Sequence, residues 1–179
     1  MEEKVNPWKA NFTNGLILGL AGIVFSLILW FLDLSLNQNL GYLFLFISAF
    51  IAYYFIKSYR DNYLHGRITY GQSVGAGVII YFYYAIIMAI FIYILHKFID
   101  PGLTDKMLAM AEEKVRASGR VQEEQMEMVM NMQKKFMSPE VMAMATILYT
   151  MLSGTIISLI VSIFTRKEGN PLLDPTETK

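Results

Sequence analysis

Methionine is the residue type whose number and spacing first invite chemistry in this chain. Seven of the twelve methionines fall between Met107 and Met137: a Met107/Met110 pair, the alternating run Met126, Met128, Met130 and Met132, and Met137 itself. Thioethers are soft ligands for Cu(I). Alternate positions, however, do not converge on one face of a helix. Met is also a good helix former and an adaptable packing residue. The pattern therefore favours packing against a protein surface, and no metal or other cofactor is expected.

The remaining reactive types are sparse. His65 and His96 have no metal-ligand spacing between them, and read as a solvated loop residue and an interfacial cap. Glu112-Glu113 and Glu123-Glu124 read as solvated helix faces. There is no cysteine, so disulfides and thiolate chemistry are excluded. No nucleophile elbow, zincin motif or phosphate-binding loop is present. Tyr81 and Tyr84 sit three apart in a long apolar run, and buried phenols need hydrogen-bond partners. They could line a cavity for a lipid or small solute, or bond to neighbouring helices.

The elements that carry these residues are set by hydropathy. Of 179 residues, 55% are hydrophobic and 17% charged. A soluble domain carries about a quarter charged residues. Net charge is zero, which gives no reason to expect nucleic acid. Four uncharged runs, 12–32, 40–56, 73–95 and 141–164, are each expected to cross a bilayer, since about 20 apolar residues suffice. The first run is too long for a signal-peptide core and is expected to be retained. No ionisable residue lies within the runs, so the usual mark of an ion path or proton relay is missing.

Two runs carry stripes of small residues: Gly15, Gly19, Gly22 and Ser26 in the first, Gly154, Ser158 and Ser162 in the fourth. In lipid, small residues let backbones approach closely. The stripes are expected to pack helices, within this chain or between copies. Thr69 with Gln72 predicts a capping box opening the third helix. Ser138-Pro139-Glu140 predicts the start of the last.

Between the third and fourth runs lies the one long polar stretch, 100–139. Asp100-Pro101-Gly102 breaks the preceding helix. Two arms, about 103–117 and 120–137, joined at Ser118-Gly119, predict an extramembrane helical hairpin. Leu103, Met107, Met110 and Ala111 mark the face of the first arm, with Val115 nearby. Met126, Val129, Met130, Gln133 and Met137 mark the second. Met107, Met110, Met126, Val129, Met130 and Met137 are the candidate partner-docking residues. The tail, 168–179, with two prolines, is expected to be disordered.

Lys and Arg outside the runs number eight on the side holding both termini and seven in the hairpin. Positives close to span ends weigh most. Lys57, Arg60, Arg166 and Lys167 therefore predict both termini in the cytoplasm and the hairpin in the periplasm, against the signal of Lys134 and Lys135.

The segment GRITYGQSVGAG (66–77) opening the third run, the DPG that closes it and the charged helical insert before the last run resemble one bacterial family. It is the membrane family catalogued as domain of unknown function 4199, found mainly in the Bacteroidota. The resemblance covers about residues 8–167. It implies a small inner-membrane protein, brings no catalytic residues with it, and suggests a role beside membrane glycosyltransferases.

The sequence thus predicts an all-α integral membrane protein of four transmembrane helices with a hairpin between the third and fourth. The expected partners are the lipid bilayer and a membrane protein or a second copy of the chain. The expected function is that of a non-enzymatic accessory subunit or scaffold. Lipid or small-solute handling around Tyr81 and Tyr84 is the alternative, and a subunit assisting a glycosyltransferase the third reading.

Overall fold

A computed structural model describes residues 5–119 and 121–168; the expected disordered tail lies outside the described residues from 169 onward. The described residues form six α-helices, a short π-helical turn and no strand.

Local chemistry sets each boundary. Helix α1, Pro7–Phe31, starts well before the apolar run, because Asn6 caps it. The Asn6 side chain accepts from the Trp8 and Lys9 amides at 3.0 and 3.5 Å, and Pro7 needs no partner for an amide it lacks. Helix α2, Gln38–Tyr63, continues past its apolar part. It ends where His65 (φ 52°) and Gly66 (φ 79°) turn left-handed and the Gly66 amide donates to the Arg60 carbonyl at 3.0 Å.

Helix α3, Tyr70–Ile94, opens on the expected capping box. The Thr69 amide donates to Gln72 Oε1 at 3.0 Å and the Gln72 amide to Thr69 Oγ1 at 3.3 Å. It runs into a π turn, Leu95–Ile99, closed by the Asp100 amide on the Leu95 carbonyl at 2.8 Å. Helix α4, Gly102–Ser118, begins with Asp100 Oδ1 accepting from the Leu103 amide at 3.1 Å, and stops at Gly119 (φ 61°). Helix α5 spans Glu123–Phe136, starting after the expected 120 because Val121 and Gln122 remain outside it. Helix α6, Pro139–Thr165, starts as the Ser-Pro-Glu sequence dictates, with the Met142 amide on the Ser138 carbonyl at 2.9 Å.

Among the described residues, four helical stretches are long and apolar enough to cross a membrane: Pro7–Phe31, Asn39–Tyr63, Tyr70–Ile99 and Pro139–Thr165. On α1 the buried residues are Asn11, Gly15, Leu18, Gly19 and Gly22, while Ile17, Leu20, Val24 and Ile28 are exposed. Three glycines inside beside Asn11 and Leu18, with large aliphatics outside, is an arrangement expected of a helix bathed in lipid.

The chain divides into two compact units, one comprising the chain up to Ala85 with that from Thr150 onward, the other Ile86–Tyr149. In the first unit, Leu18, Ala52, Ile56, Ile80, Tyr81 and Ile157 form the core. One glycine of each small-residue stripe meets a large side chain there. A Cβ on Gly15 would lie 2.5 Å from the Tyr83 Cβ, and one on Gly154 would fall on the Tyr81 ring. Gly77, outside both stripes, meets Ser158: a Cβ on it would lie 2.5 Å from Ser158 Oγ. Ser162 is fully buried. In the second unit, Met88, Ala89, Phe91, Leu95, Leu103 and Met126 are buried.

Candidate functional site

The first unit is stapled at one end by polar groups far apart in sequence. Arg60 Nη1 donates to the Thr165 carbonyl at 3.0 Å, satisfying an acceptor that the end of α6 leaves open. Ser73 Oγ and Thr165 Oγ1 share a buried hydrogen bond of 2.6 Å. Tyr70 Oη donates to the Leu159 carbonyl at 3.1 Å. Ile68 and Lys167 exchange both backbone bonds, each 3.0 Å, as an isolated antiparallel bridge. The start of α3 and the end of α6 are thereby fixed together.

Beside this staple opens a cleft of about 950 Å³. Its walls are Tyr59, Ile68, Ala76 and Ile79, all buried. Its polar lining comes from His65, Arg67, Thr69, Gln72, Lys167 and Glu168, and Val5 and Pro7 reach it from the start of α1. A volume of this size lies at the upper end of ordinary ligand sites. The sequence reading did not single this cleft out. Its one visible signal was the clustering of positives beside two span ends.

The two tyrosines expected to line a cavity part company. Tyr81 is 2% exposed, its ring fills the space left by Gly154, and its Oη lies 3.1 Å from Ser48 Oγ. Ser48 Oγ also donates to the Leu45 carbonyl at 2.8 Å. Tyr84 is half-buried and lines a hollow of about 310 Å³ with Phe25, Ser26, Phe44 and Asn37. Its ring meets that of Tyr81 edge-on, centroids 6.0 Å apart.

The second unit carries the polar insert. Lys97 on the π turn pairs with Glu140 at 2.9 Å, bonds the Tyr93 hydroxyl and lies 4.7 Å above the Tyr93 ring. His96, expected at an interface, is buried, its Nδ1 3.2 Å from Thr104 Oγ1. Of the six candidate docking residues, Met126 is buried, Met107, Val129, Met130 and Met137 are half-buried, and Met110 is exposed. The exposed apolar stripe of α5 is a different one: Met128, Met132 and Phe136. It borders a shallow groove lined also by Glu124, Glu127, Asn131 and Lys135. Among the described residues no three His, Cys, Asp or Glu side chains gather closely enough to hold a metal ion.

Four membrane-length helices and a polar helical insert define a multi-pass α-helical membrane protein. The chain belongs to the family described as "Protein of unknown function (DUF4199)", whose model matches residues 13–167. No curated protein and no solved structure matches it.

Proposed function

We propose that the protein is a non-enzymatic subunit of the bacterial inner membrane that docks a second membrane protein through α4 and α5, folded as a hairpin outside the bilayer. The observation that carries this reading is the α5 stripe. Met128, Met132 and Phe136 recur every four residues and are 69, 55 and 65% exposed. Acids and Lys135 flank them. An apolar strip with a polar rim has the composition of an interface, and Met adapts to a partner surface. The charged groups of known geometry favour a non-catalytic role: Arg60 caps a helix and Lys97 pairs with Glu140.

In the same reading both termini are cytoplasmic and α4–α5 are periplasmic. A membrane glycosyltransferase is the partner class the family resemblance suggests. A photo-crosslinking residue at position 128 or 136 in native membranes tests the docking role. The expected result is a discrete adduct from these positions and none from buried 126. Partner binding that survives deletion of 103–137, with the spans still inserted, overturns it. Lipid or small-solute handling is the second reading and draws on the hollow beside Tyr84, whose volume of about 310 Å³ is at the low end for a ligand site.

A further inference from the structure

We propose that the cleft beside the α3–α6 staple binds the headgroup of an anionic phospholipid. This inference concerns the first unit alone and stands apart from the docking role. Three observations carry it.

The first is position. The cleft is built from residues at the ends of four apolar helices: Pro7 on α1, Tyr59 and Tyr63 on α2, Thr69 and Gln72 at the start of α3, Lys167 just past α6. Ends of membrane-length helices lie at headgroup depth. A lipid phosphate reaches such a place from the bilayer without leaving it.

The second is charge. Segments 57–68 and 166–168 hold five cations, Lys57, Arg60, Arg67, Arg166 and Lys167, against Asp61 and Glu168. Arg67 and Lys167 line the cleft itself, with Glu168 as the one acid among the described residues. Arg and Lys both recognise phosphate, Arg with a planar fork of donors. Basic pockets between membrane helices bind anionic headgroups on the cytoplasmic face.

The third is construction. The rim does not have to be ordered by the ligand. The Ile68–Lys167 bridge, the Thr69–Gln72 box and the Arg60–Thr165 bond hold it already. Below the polar rim, Tyr59, Ala76 and Ile79 offer an apolar wall to the glycerol and upper acyl carbons. A preformed site loses less on binding.

The test uses native mass spectrometry of the full chain in mild detergent, with phosphatidylglycerol or phosphatidylcholine of identical acyl chains. The expected result is preferential retention of phosphatidylglycerol. Loss of Arg67 or Lys167 to Gln is expected to weaken that retention about fivefold each, the effect of one basic residue at an anionic surface. Arg166→Gln, next door but outside the cleft lining, is expected to leave it unchanged. If Arg166→Gln weakens retention as much as Lys167→Gln, attraction is merely general and the site is refuted.

A second variant leaves charge and fold intact. Gly75 lines the cleft, and a Cβ added to it meets nothing within 4 Å. Gly75→Leu is therefore expected to narrow the cleft and weaken the preference. Equal retention of the two lipids by the wild type, or a preference untouched by Gly75→Leu, overturns the proposal. Competition by soluble glycerol 3-phosphate, if complete, assigns the cleft to a free phosphate ester and overturns the lipid.

Discussion

The guanidinium of Arg60 closes the last turn of α6 from 105 residues away, donating from Nη1 to the carbonyl of Thr165 at 3.0 Å. The Arg60 side chain is only 13% exposed, and its Nε also meets Asp61 Oδ1 at 2.7 Å. The bond to the carbonyl spans two helices, whereas the ion pair joins sequence neighbours.

Arg60→Ala is therefore expected to destabilise the protein by about 1 to 3 kcal/mol, the cost of stranding a partner of a charged hydrogen bond. Asp61→Asn is expected to cost much less, because that carboxylate is solvated. Thermal unfolding in detergent, followed by helical circular dichroism, distinguishes the two. Equal losses would mean that the ion pair, and not the helix cap, is what Arg60 supplies.

Gly154→Ala places a methyl on the Tyr81 ring. The expected loss is about 1 to 3 kcal/mol, typical of overpacking. The loss is expected to be less than additive with Tyr81→Ala, which removes the Cγ and Cδ1 that the methyl meets, because the two sites share one space. The contrasting change, Gly75→Ala, meets open space and is expected to be neutral or stabilising. Additive losses in the 154/81 double variant would show that the two residues do not compete for that space.

The Lys97–Glu140 pair joins the π turn to the first turn of α6 at 2.9 Å, with both side chains partly exposed. Glu140→Gln is expected to lower the melting temperature slightly at low salt and not at high salt, since exposed pairs are screened. A salt-independent loss would point instead to the N-terminal helix charge effect being buried from solvent.

The chain lacks cysteine, so a single introduced thiol reports on one place alone. Ser118, exposed at the end of α4, is a suitable one. In the proposed topology, Ser118→Cys is labelled by an impermeant maleimide in intact spheroplasts. Labelling only after permeabilisation would reverse the orientation of the whole chain.

The four apolar helices were legible because burial in lipid demands about twenty uncharged residues in a row. Their ends were legible only where the signal is local. Thr69–Gln72 and Ser138-Pro139-Glu140 spell their caps within four residues. Asn6-Pro7 does so too, but hydropathy places the start at Phe12, because it reports the apolar part of a helix and not the polar turn that precedes it. The π turn at Leu95–Ile99 has no comparable signature. Nor could spacing reveal which small residue receives which large one. Gly154 and Tyr81 were each visible, but their meeting is a tertiary fact. The cleft was least legible of all, since Arg67 and Lys167 come together only through a bridge across a hundred residues of chain.

That bridge has a consequence for biogenesis. Ile68 leaves the ribosome long before Lys167, by about 5 to 20 s at ordinary elongation rates. During this interval Arg60 has no α6 carbonyl to cap, and the Tyr81 ring has no Gly154 to cover it. Until α6 arrives, Arg60 has only its neighbour Asp61 and Tyr81 only its hydroxyl bond to Ser48. A polypeptide released before Gly154 completes neither the Arg60–Thr165 cap nor the Tyr81–Gly154 contact.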